Sequence, residues 1–381
     1  MTQASVTYRN GRIFDGQQLI DGVSARFEAG VLVVLGPDLP GGGAEVDLNG
    51  DILSVGYVDL QVNGGGGLMF NAAPTVETLR TMAKAHRGLG VTQLLPTLIT
   101  DSADITQAAI NAAIEAVKEG IPGVAGLHLE GPHLSIARKG AHDAGLVRSM
   151  TDADLEALLD AAKQLPVLKV TIAPENVSLD QVKAMAQAGI LLSLGHTDAD
   201  FDTCQRYIAA GVRCVTHLFN AMSQMGNRAP GVVGAALSNR AVSAGLIADA
   251  VHVHPETMGV AWRSKRGPGK LFLVSDAMAV AGTDHSRFDL NGREILRQDG
   301  QLRLADGTLA GADLDLTTAI SVLVHQVGTD LDAALLAATQ VPLELCGLTP
   351  VKMTPNETRL NDLIRIKADL SGVEAYLDAE S

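Results

Sequence analysis

Residues 75–100 read TVETLRTMAKAHRGLGVTQLLPTLIT, and the reading of this stretch decides the fold. Its first part, 75–88, is an alanine-containing amphipathic segment that predicts a helix. Gly90 then breaks the chain, and 91–99 is an apolar run with the character of a strand buried on both faces. The same theme repeats downstream. A helical stretch at 102–119 leads to an apolar run at 124–129, 151–163 leads to 167–173, 179–188 to 190–194, and 201–210 to 213–216. Two further runs at 244–248 and 271–274 follow, and 52–60 precedes, which makes eight candidate strands. Strands alternating with helices pair in parallel, and eight such units predict a closed (β/α)8 barrel of the TIM type. An open doubly wound sheet is the alternative that periodicity leaves standing. No Gly-x-Gly-x-x-Gly or Walker sequence follows any of the runs, which weakens its nucleotide-binding form.

The two ends differ from the middle. Short strand-like runs at 6–8, 11–14, 23–27 and 31–34 are broken by Gly and Asp, and the tail carries similar runs at 363–367 and 373–377. They predict one small β-sandwich domain built from both termini, 1–54 and 347–381, with a hydrolase barrel at 55–346 inserted between them. Helices at 314–327 and 331–338 are expected to close the barrel.

Composition narrows the function. Of 381 residues, 46 % are hydrophobic and 19 % charged, enough apolar material for a large core and too much for a disordered chain. The formal net charge of −14 argues against a general nucleic-acid or anionic-membrane binder, both of which need a basic surface. An anionic small substrate remains open, because a few local cations can hold it. Cys204, Cys214 and Cys346 form no Cys-x-x-Cys pair, so neither a thiolate zinc site nor a disulfide framework is expected. The first ten residues lack the layout of a signal peptide and no apolar run is long enough to span a bilayer, so a cytoplasmic location is expected.

In such a barrel the active site lies at the C-terminal ends of the strands. The candidate strands end in Asp59-Leu60-Gln61-Val62-Asn63, in His128-Leu129-Glu130-Gly131-Pro132-His133, in Gly195-His196-Thr197, in Thr216-His217-Leu218-Phe219-Asn220 and in Ser275-Asp276-Ala277. Alone, a histidine at such a place is more often a hydrogen-bonded structural residue, and Glu130 a helix-capping or salt-bridged carboxylate. Jointly, Glu130, His196 and His217 make a ligand set for one divalent metal with room for water. Water there becomes acidic enough to yield hydroxide near neutral pH, and Asp276 can carry the proton. Of the other histidines, His128 reads as structural, as do His86 and His325 on helices. His252 and His254 would share a face if extended, and His252 is the substrate-facing one. His142 lies in a loop that can reach the barrel mouth. His133 reads equally as a further ligand or a polar rim residue, and His285 carries no signal.

These stretches, together with Gly56-Tyr57-Val58-Asp59, Thr171-Ile172-Ala173-Pro174-Glu175, Asp249-Ala250-Val251-His252 and Gly307-Thr308-Leu309-Ala310-Gly311, resemble the N-acetylglucosamine-6-phosphate deacetylases of the amidohydrolase superfamily. The resemblance runs in order from about residue 11 to 345. It implies hydrolysis of N-acetyl-D-glucosamine 6-phosphate to D-glucosamine 6-phosphate and acetate, in amino-sugar catabolism and cell-wall recycling. It also implies one divalent metal per subunit on Glu130, His196 and His217, zinc foremost, with iron, manganese and cobalt admitted by the same donors. Asp276 would be the general base and acid. Substrate contacts would fall on Asn220, Ala221, His252 and His142, and Arg228 would reach the sugar phosphate in the neighbouring subunit of a homodimer. Gln61 and Asn63 stand where many superfamily members carry a His-x-His pair, a remnant of a second metal site. The chain departs from the pattern at Val55, where proline is usual, and in its tail at Arg359-Leu360-Asn361-Asp362. A cyclic amide or an N-acyl amino acid is the alternative substrate, and a non-catalytic scaffold the alternative class.

Overall fold

The computed structural model describes residues 5–40 and 43–376. Expectations for 1–4, 41–42 and 377–381, including the last residue of the 373–377 run, lie outside them. Eight parallel strands follow one another in sheet order: Tyr57–Val62, Val91–Ile99, Leu127–Glu130, Leu168–Ile172, Leu191–Leu194, Cys214–Val215, Ser243–Leu246 and Leu271–Leu273. The seam between the first and eighth is drawn shut by other contacts. Val62 bridges Ala277 in parallel, Asp276 N–H donates to Gln61 O at 3.1 Å, and Asn63 N–H donates to Ala277 O at 2.8 Å. The buried Asp59 carboxylate accepts Ser275 N–H from the far side of the seam at 3.2 Å. These contacts make the sheet a barrel and remove the open-sheet alternative.

The helices form where the sequence supplies both an apolar face and a cap. Thr75, Ser102, Thr151, Ser178 and Asp200 each accept a backbone N–H three residues on, and Thr151/Asp154 and Ser178/Gln181 are reciprocal capping boxes. Inside the barrel, hydroxyls and one imidazole satisfy one another in a chain. Thr97 Oγ1 meets His128 Nδ1 at 3.1 Å, His128 Nε2 meets Thr171 Oγ1 at 2.8 Å, Thr171 meets Thr216 at 2.7 Å and Thr216 meets Ser193 at 2.6 Å. Both ring nitrogens of His128 are thus occupied beneath the barrel mouth, which agrees with its structural reading.

Both termini enter one sheet. Ile52–Val55 pairs in parallel with Arg12–Phe14 and antiparallel with Leu363–Ile366, which in turn pairs with Val373–Ala375. A second sheet holds Ser5–Arg9, Ser24–Glu28, Val31–Gly36 and Ala44–Asp47. Tyr8, Phe27, Ile13 and Phe14 are buried here.

Three details differ from the sequence reading. The run at 52–60 is two strands, not one: Ile52–Val55 belongs to the terminal sheet and Tyr57–Val62 to the barrel. The chain passes between them at Gly56, where a Cβ would lie 2.0 Å from Thr92 Cγ2, so only glycine fits. The segment expected as one helix over 314–327 is an α-helix, Leu316–Val322, continued by a π-helical turn, Leu323–Val327. The third is an antiparallel four-stranded sheet after strand eight, Arg287–Leu290, Arg293–Gln298, Gln301–Arg303 and Leu309–Ala312. Its Leu290, Ile295 and Leu302 join Met69, Ile99 and Met278 in a second small core on the rim of the barrel. Among the described residues no helix is long and apolar enough to cross a membrane.

Candidate active site

The strand ends deliver the expected residues to one place. Glu130 is the last residue of strand three, His196 and His217 lie two residues beyond strands five and six, and Asp276 lies three beyond strand eight. His196, His217 and Asp276 all adopt left-handed backbone conformations, with φ of 47°, 28° and 52°. Side chains with a Cβ rarely adopt this conformation, and such residues concentrate where a chain must aim a functional group.

Glu130 Oε1 is 3.2 Å from His196 Nε2 and 2.9 Å from His217 Nε2, and the two Nε2 atoms are 3.1 Å apart. His196 Nδ1–H donates to Arg138 O at 2.8 Å, which leaves a lone pair on Nε2 facing inward. Three donor atoms then close on one point. Zinc held by nitrogen and oxygen at about 2.0–2.2 Å gives ligand-to-ligand edges of about 3.3–3.5 Å, so this triangle fits a divalent ion with slight expansion. Burial alone would raise the Glu130 carboxyl, but the two imidazoles beside it hold it well below the usual range. His217 is raised despite burial, because Glu130 faces it.

His142 also comes within ligand range of Glu130 and His196, all three having a donor atom within 4.8 Å of one another. Its hydrogen bonds argue for a different task. Thr100 N–H donates to His142 Nδ1 at 3.3 Å, and the Thr100 hydroxyl lies 2.8 Å from the same atom. Burial, with the His196 imidazole adding to it, pushes His142 down to about 3, so the ring is neutral. A neutral imidazole accepting at Nδ1 carries its proton on Nε2. That nitrogen is therefore a donor and not a ligand, and His217 is the better third member.

Asp276 is raised by burial and then by the Glu130 charge. It receives hydrogen bonds from Gln61 Nε2 at 3.0 Å and Asn63 Nδ2 at 2.8 Å. A cavity of ≈ 270 Å³ opens on these groups, and Asn63, His142, Asn220, Ala221, His252 and Asp276 line it. Its apolar wall comes from Ile99, Ile247, Met278, Leu290 and Leu309. Asn220 Nδ2 is bound to the carbonyls of His217 and Leu218 at 3.2 and 3.3 Å. Arg228 is exposed and does not line this cavity, and no Lys or Arg among the described residues does. His133 gives Nδ1 to the Arg148 carbonyl at 3.1 Å and is absent from the lining, so it belongs to the loop packing. His86 is buried against Gly64 O, and His254 caps the helix Pro255–Ser264.

Sequence reasoning missed the partners that aim these groups. Asp249 Oδ2 takes His252 Nδ1 at 2.6 Å, while its Oδ1 accepts the backbone N–H of Val251 and His252. An Asp three residues before a His was the available signal. Thr100 behind His142 gave none, since its partner lies 42 residues away, and Glu175 stood in a stretch that carries the resemblance but with its partner Thr197 hidden 22 residues on.

Comparison with known proteins follows the same lines. The amidohydrolase family model matches residues 52–352. The chain is 43 % identical over 297 residues to an N-acetylgalactosamine-6-phosphate deacetylase of Shewanella sp. (strain ANA-3), covering 78 % of this chain and 75 % of that one. It is 33 % identical over 306 residues to an N-acetylglucosamine-6-phosphate deacetylase of Haemophilus influenzae, covering 80 % and 79 %. The crystal structure of N-acetylglucosamine-6-phosphate deacetylase from Pasteurella multocida superposes with a TM-score of 0.88 at 31 % identity, over 97 % of each chain.

Proposed function

The chain belongs to the amidohydrolase family, hydrolases of carbon–nitrogen bonds, and on that premise we propose that it deacetylates N-acetyl-D-glucosamine 6-phosphate to D-glucosamine 6-phosphate and acetate. The observation that carries this reading is the convergence of Glu130, His196 and His217 within 3.2 Å beside the raised carboxyl of Asp276. Relatives that share this architecture are deacetylases of amino-sugar phosphates. The reaction would serve amino-sugar catabolism and cell-wall recycling in the cytoplasm.

Glu130, His196 and His217 would hold one divalent ion, zinc foremost, and such an ion supplies acidified water and polarisation of the amide carbonyl. The chain's own groups do the rest. Asp276 takes the proton from the attacking water and returns it to the amine nitrogen. His142 presents Nε2–H toward charge growing on the carbonyl oxygen. His252, with Nδ1 engaged by Asp249, turns Nε2 to the substrate. Among the described residues no Lys or Arg lines the cavity to meet the phosphate, and Arg228 is exposed outside it. A second copy in a homodimer would supply its Arg228, whose planar fork suits phosphate oxygens.

A second reading differs at one sugar carbon. The 43 % identical relative acts on the galactosamine epimer, so that sugar belongs beside the glucosamine one. The test is acetate release by metal-analysed protein from both N-acetylhexosamine 6-phosphates and from unphosphorylated N-acetylglucosamine. The proposal expects the glucosamine phosphate to be preferred over both others. Preference for the galactosamine phosphate would replace the substrate and keep the chemistry, and no turnover of any of the three would overturn the proposal.

A further inference from the structure

Gln61 and Asn63 occupy the place where the superfamily often has two metal-binding histidines, and they invite dismissal as leftovers. Their hydrogen bonds point elsewhere. Both side chains are buried at the end of strand one. Asn63 Nδ2 lies 2.8 Å from Asp276 Oδ1, and Gln61 Nε2 lies 3.0 Å from the same oxygen. Gln61 Nε2 also reaches both carboxylate oxygens of Glu130, at 3.3 and 3.2 Å. The orientation of both amides follows from charge: reversing either would set a carbonyl oxygen against a carboxylate. In this orientation Gln61 Oε1 and Asn63 Oδ1 are buried with no partner among the described residues. Leaving a buried acceptor unsatisfied is costly. That cost is tolerated here in exchange for two donors on a single carboxylate oxygen.

We infer that Gln61 and Asn63 are positioning residues that distinguish the two oxygens of Asp276, so that the proton it carries during the reaction resides on Oδ2. This inference rests on the reading of Asp276 as the proton carrier. Oδ1 has two lone pairs, and the two amide N–H groups fill them. A proton placed on Oδ1 would have to displace one of these donors. Among the described residues no donor reaches Oδ2, and Asp276 lines the cavity. The balance of the step is simple. The water oxygen bonds to the acyl carbon as one of its protons passes to Oδ2. That proton then moves to the nitrogen as the carbon–nitrogen bond breaks, and Asp276 ends ionised. The second water proton leaves with the acetic acid and dissociates in solution.

The two amides differ in a way that exposes their roles. Gln61 spans Glu130 and Asp276, so it bears on both metal affinity and proton transfer. Among the described residues the Asn63 side chain hydrogen-bonds Asp276 alone, so it bears on proton transfer only.

The experiment compares Gln61→Leu and Asn63→Leu with the parent in the full chain. It measures kcat, KM, and affinity for cobalt(II) read from the ion's visible absorption. Asn63→Leu is expected to lower kcat roughly 10–100-fold, as misplaced catalytic groups do, with KM and cobalt affinity within about twofold of the parent's. In an Asp276→Asn background the same change should cost nothing further, since there is no carried proton left to direct. Gln61→Leu is expected to lower both kcat and cobalt affinity. Asn63→Asp, the same size but an acceptor, should reproduce the kcat loss if the leucine variant does not fold. Parent-like kcat in Asn63→Leu, loss of cobalt affinity in it, or an undiminished loss on top of Asp276→Asn each overturns the inference. The cobalt measurements need no substrate, so a failure of the proposed activity, seen as a parent that releases no acetate, is distinguishable from a failure here.

Discussion

The carboxylate of Glu175 accepts the hydroxyl of Thr197 at 2.6 Å, immediately after His196 in the chain. Its other oxygen accepts the backbone N–H of Asp198 at 2.8 Å. Together these bonds hold the turn in which His196 is forced to a φ of 47°, and so they hold the direction of its imidazole. Glu175 comes from the loop after strand four, and its grip on strand five's loop is a contact between neighbouring units of the barrel. Removing outer partners of this kind costs metal affinity roughly 10–100-fold. Glu175→Ala is expected to weaken metal binding by that factor, measured by competition with a chelator. Unchanged affinity would reduce Glu175 to a loop fastener.

Asp276→Asn keeps the size of the side chain and removes its ability to take a proton. Turnover should fall by roughly 10²–10⁴-fold while the bound metal, measured by elemental analysis, stays at the parent's level. Turnover near the parent's would remove Asp276 from the mechanism.

His252 depends on Asp249 for its direction, through a contact of 2.6 Å between their side chains. Burial opposes the charge on Asp249, but its hydrogen bonds with His252 and the neighbouring backbone hold its carboxyl below the ordinary range. Asp249→Asn replaces the acceptor's charge, and a charge-assisted bond of this kind is worth about 1.5–3 kcal/mol. We expect KM for the sugar phosphate to rise roughly 10-fold or more, with metal content unchanged. An unaltered KM would mean that His252 does not touch the substrate.

The Arg148–Asp154 pair makes a pH-dependent contribution to stability. Burial pushes the Asp154 carboxyl up, but Arg148 and Thr151 outweigh it and hold the group well below its ordinary value of 3.8. Because the folded value is depressed, the stabilisation is fully present above the unfolded value and is lost as pH falls below it. Asp154→Asn should therefore lower Tm at pH 7, and the gap to the parent should close as pH falls below about 4. A gap that stays constant across that range would assign the effect to packing instead.

Much of this molecule is written in local patterns. The barrel strand at Val91–Ile99 and the helix at Phe201–Ala210 fall where the residues predict, because each unit repeats the same order of helix, break and buried run. The gathering of Glu130, His196, His217 and Asp276 was legible for the same reason: a polar side chain that ends an apolar barrel strand is delivered to the barrel mouth. The split at Gly56 was not legible, since it is imposed by the approach of Thr92, far along the chain. The sheet at Arg287–Ala312 was missed because its charged, half-exposed strands, such as Arg293–Gln298, lack the continuous burial that marks the barrel. It reaches the site through Leu309, which lies in a stretch that carries the family resemblance, and through Leu290, an apolar residue on the cavity wall that no spacing rule singles out. The sugar epimer was equally silent, for Glu130, His196, His217 and Asp276 are proposed to act at the amide and not at the far hydroxyl.

One metal ion on Glu130, His196 and His217 is proposed to drive deacetylation of a sugar phosphate. The most direct test strips the protein with a chelator, dialyses the chelator away, and titrates zinc back while acetate release from N-acetylglucosamine 6-phosphate is followed. Activity is expected to vanish on stripping and to return in full at one equivalent per chain. Activity that survives stripping, or that needs a second equivalent to return, would contradict it.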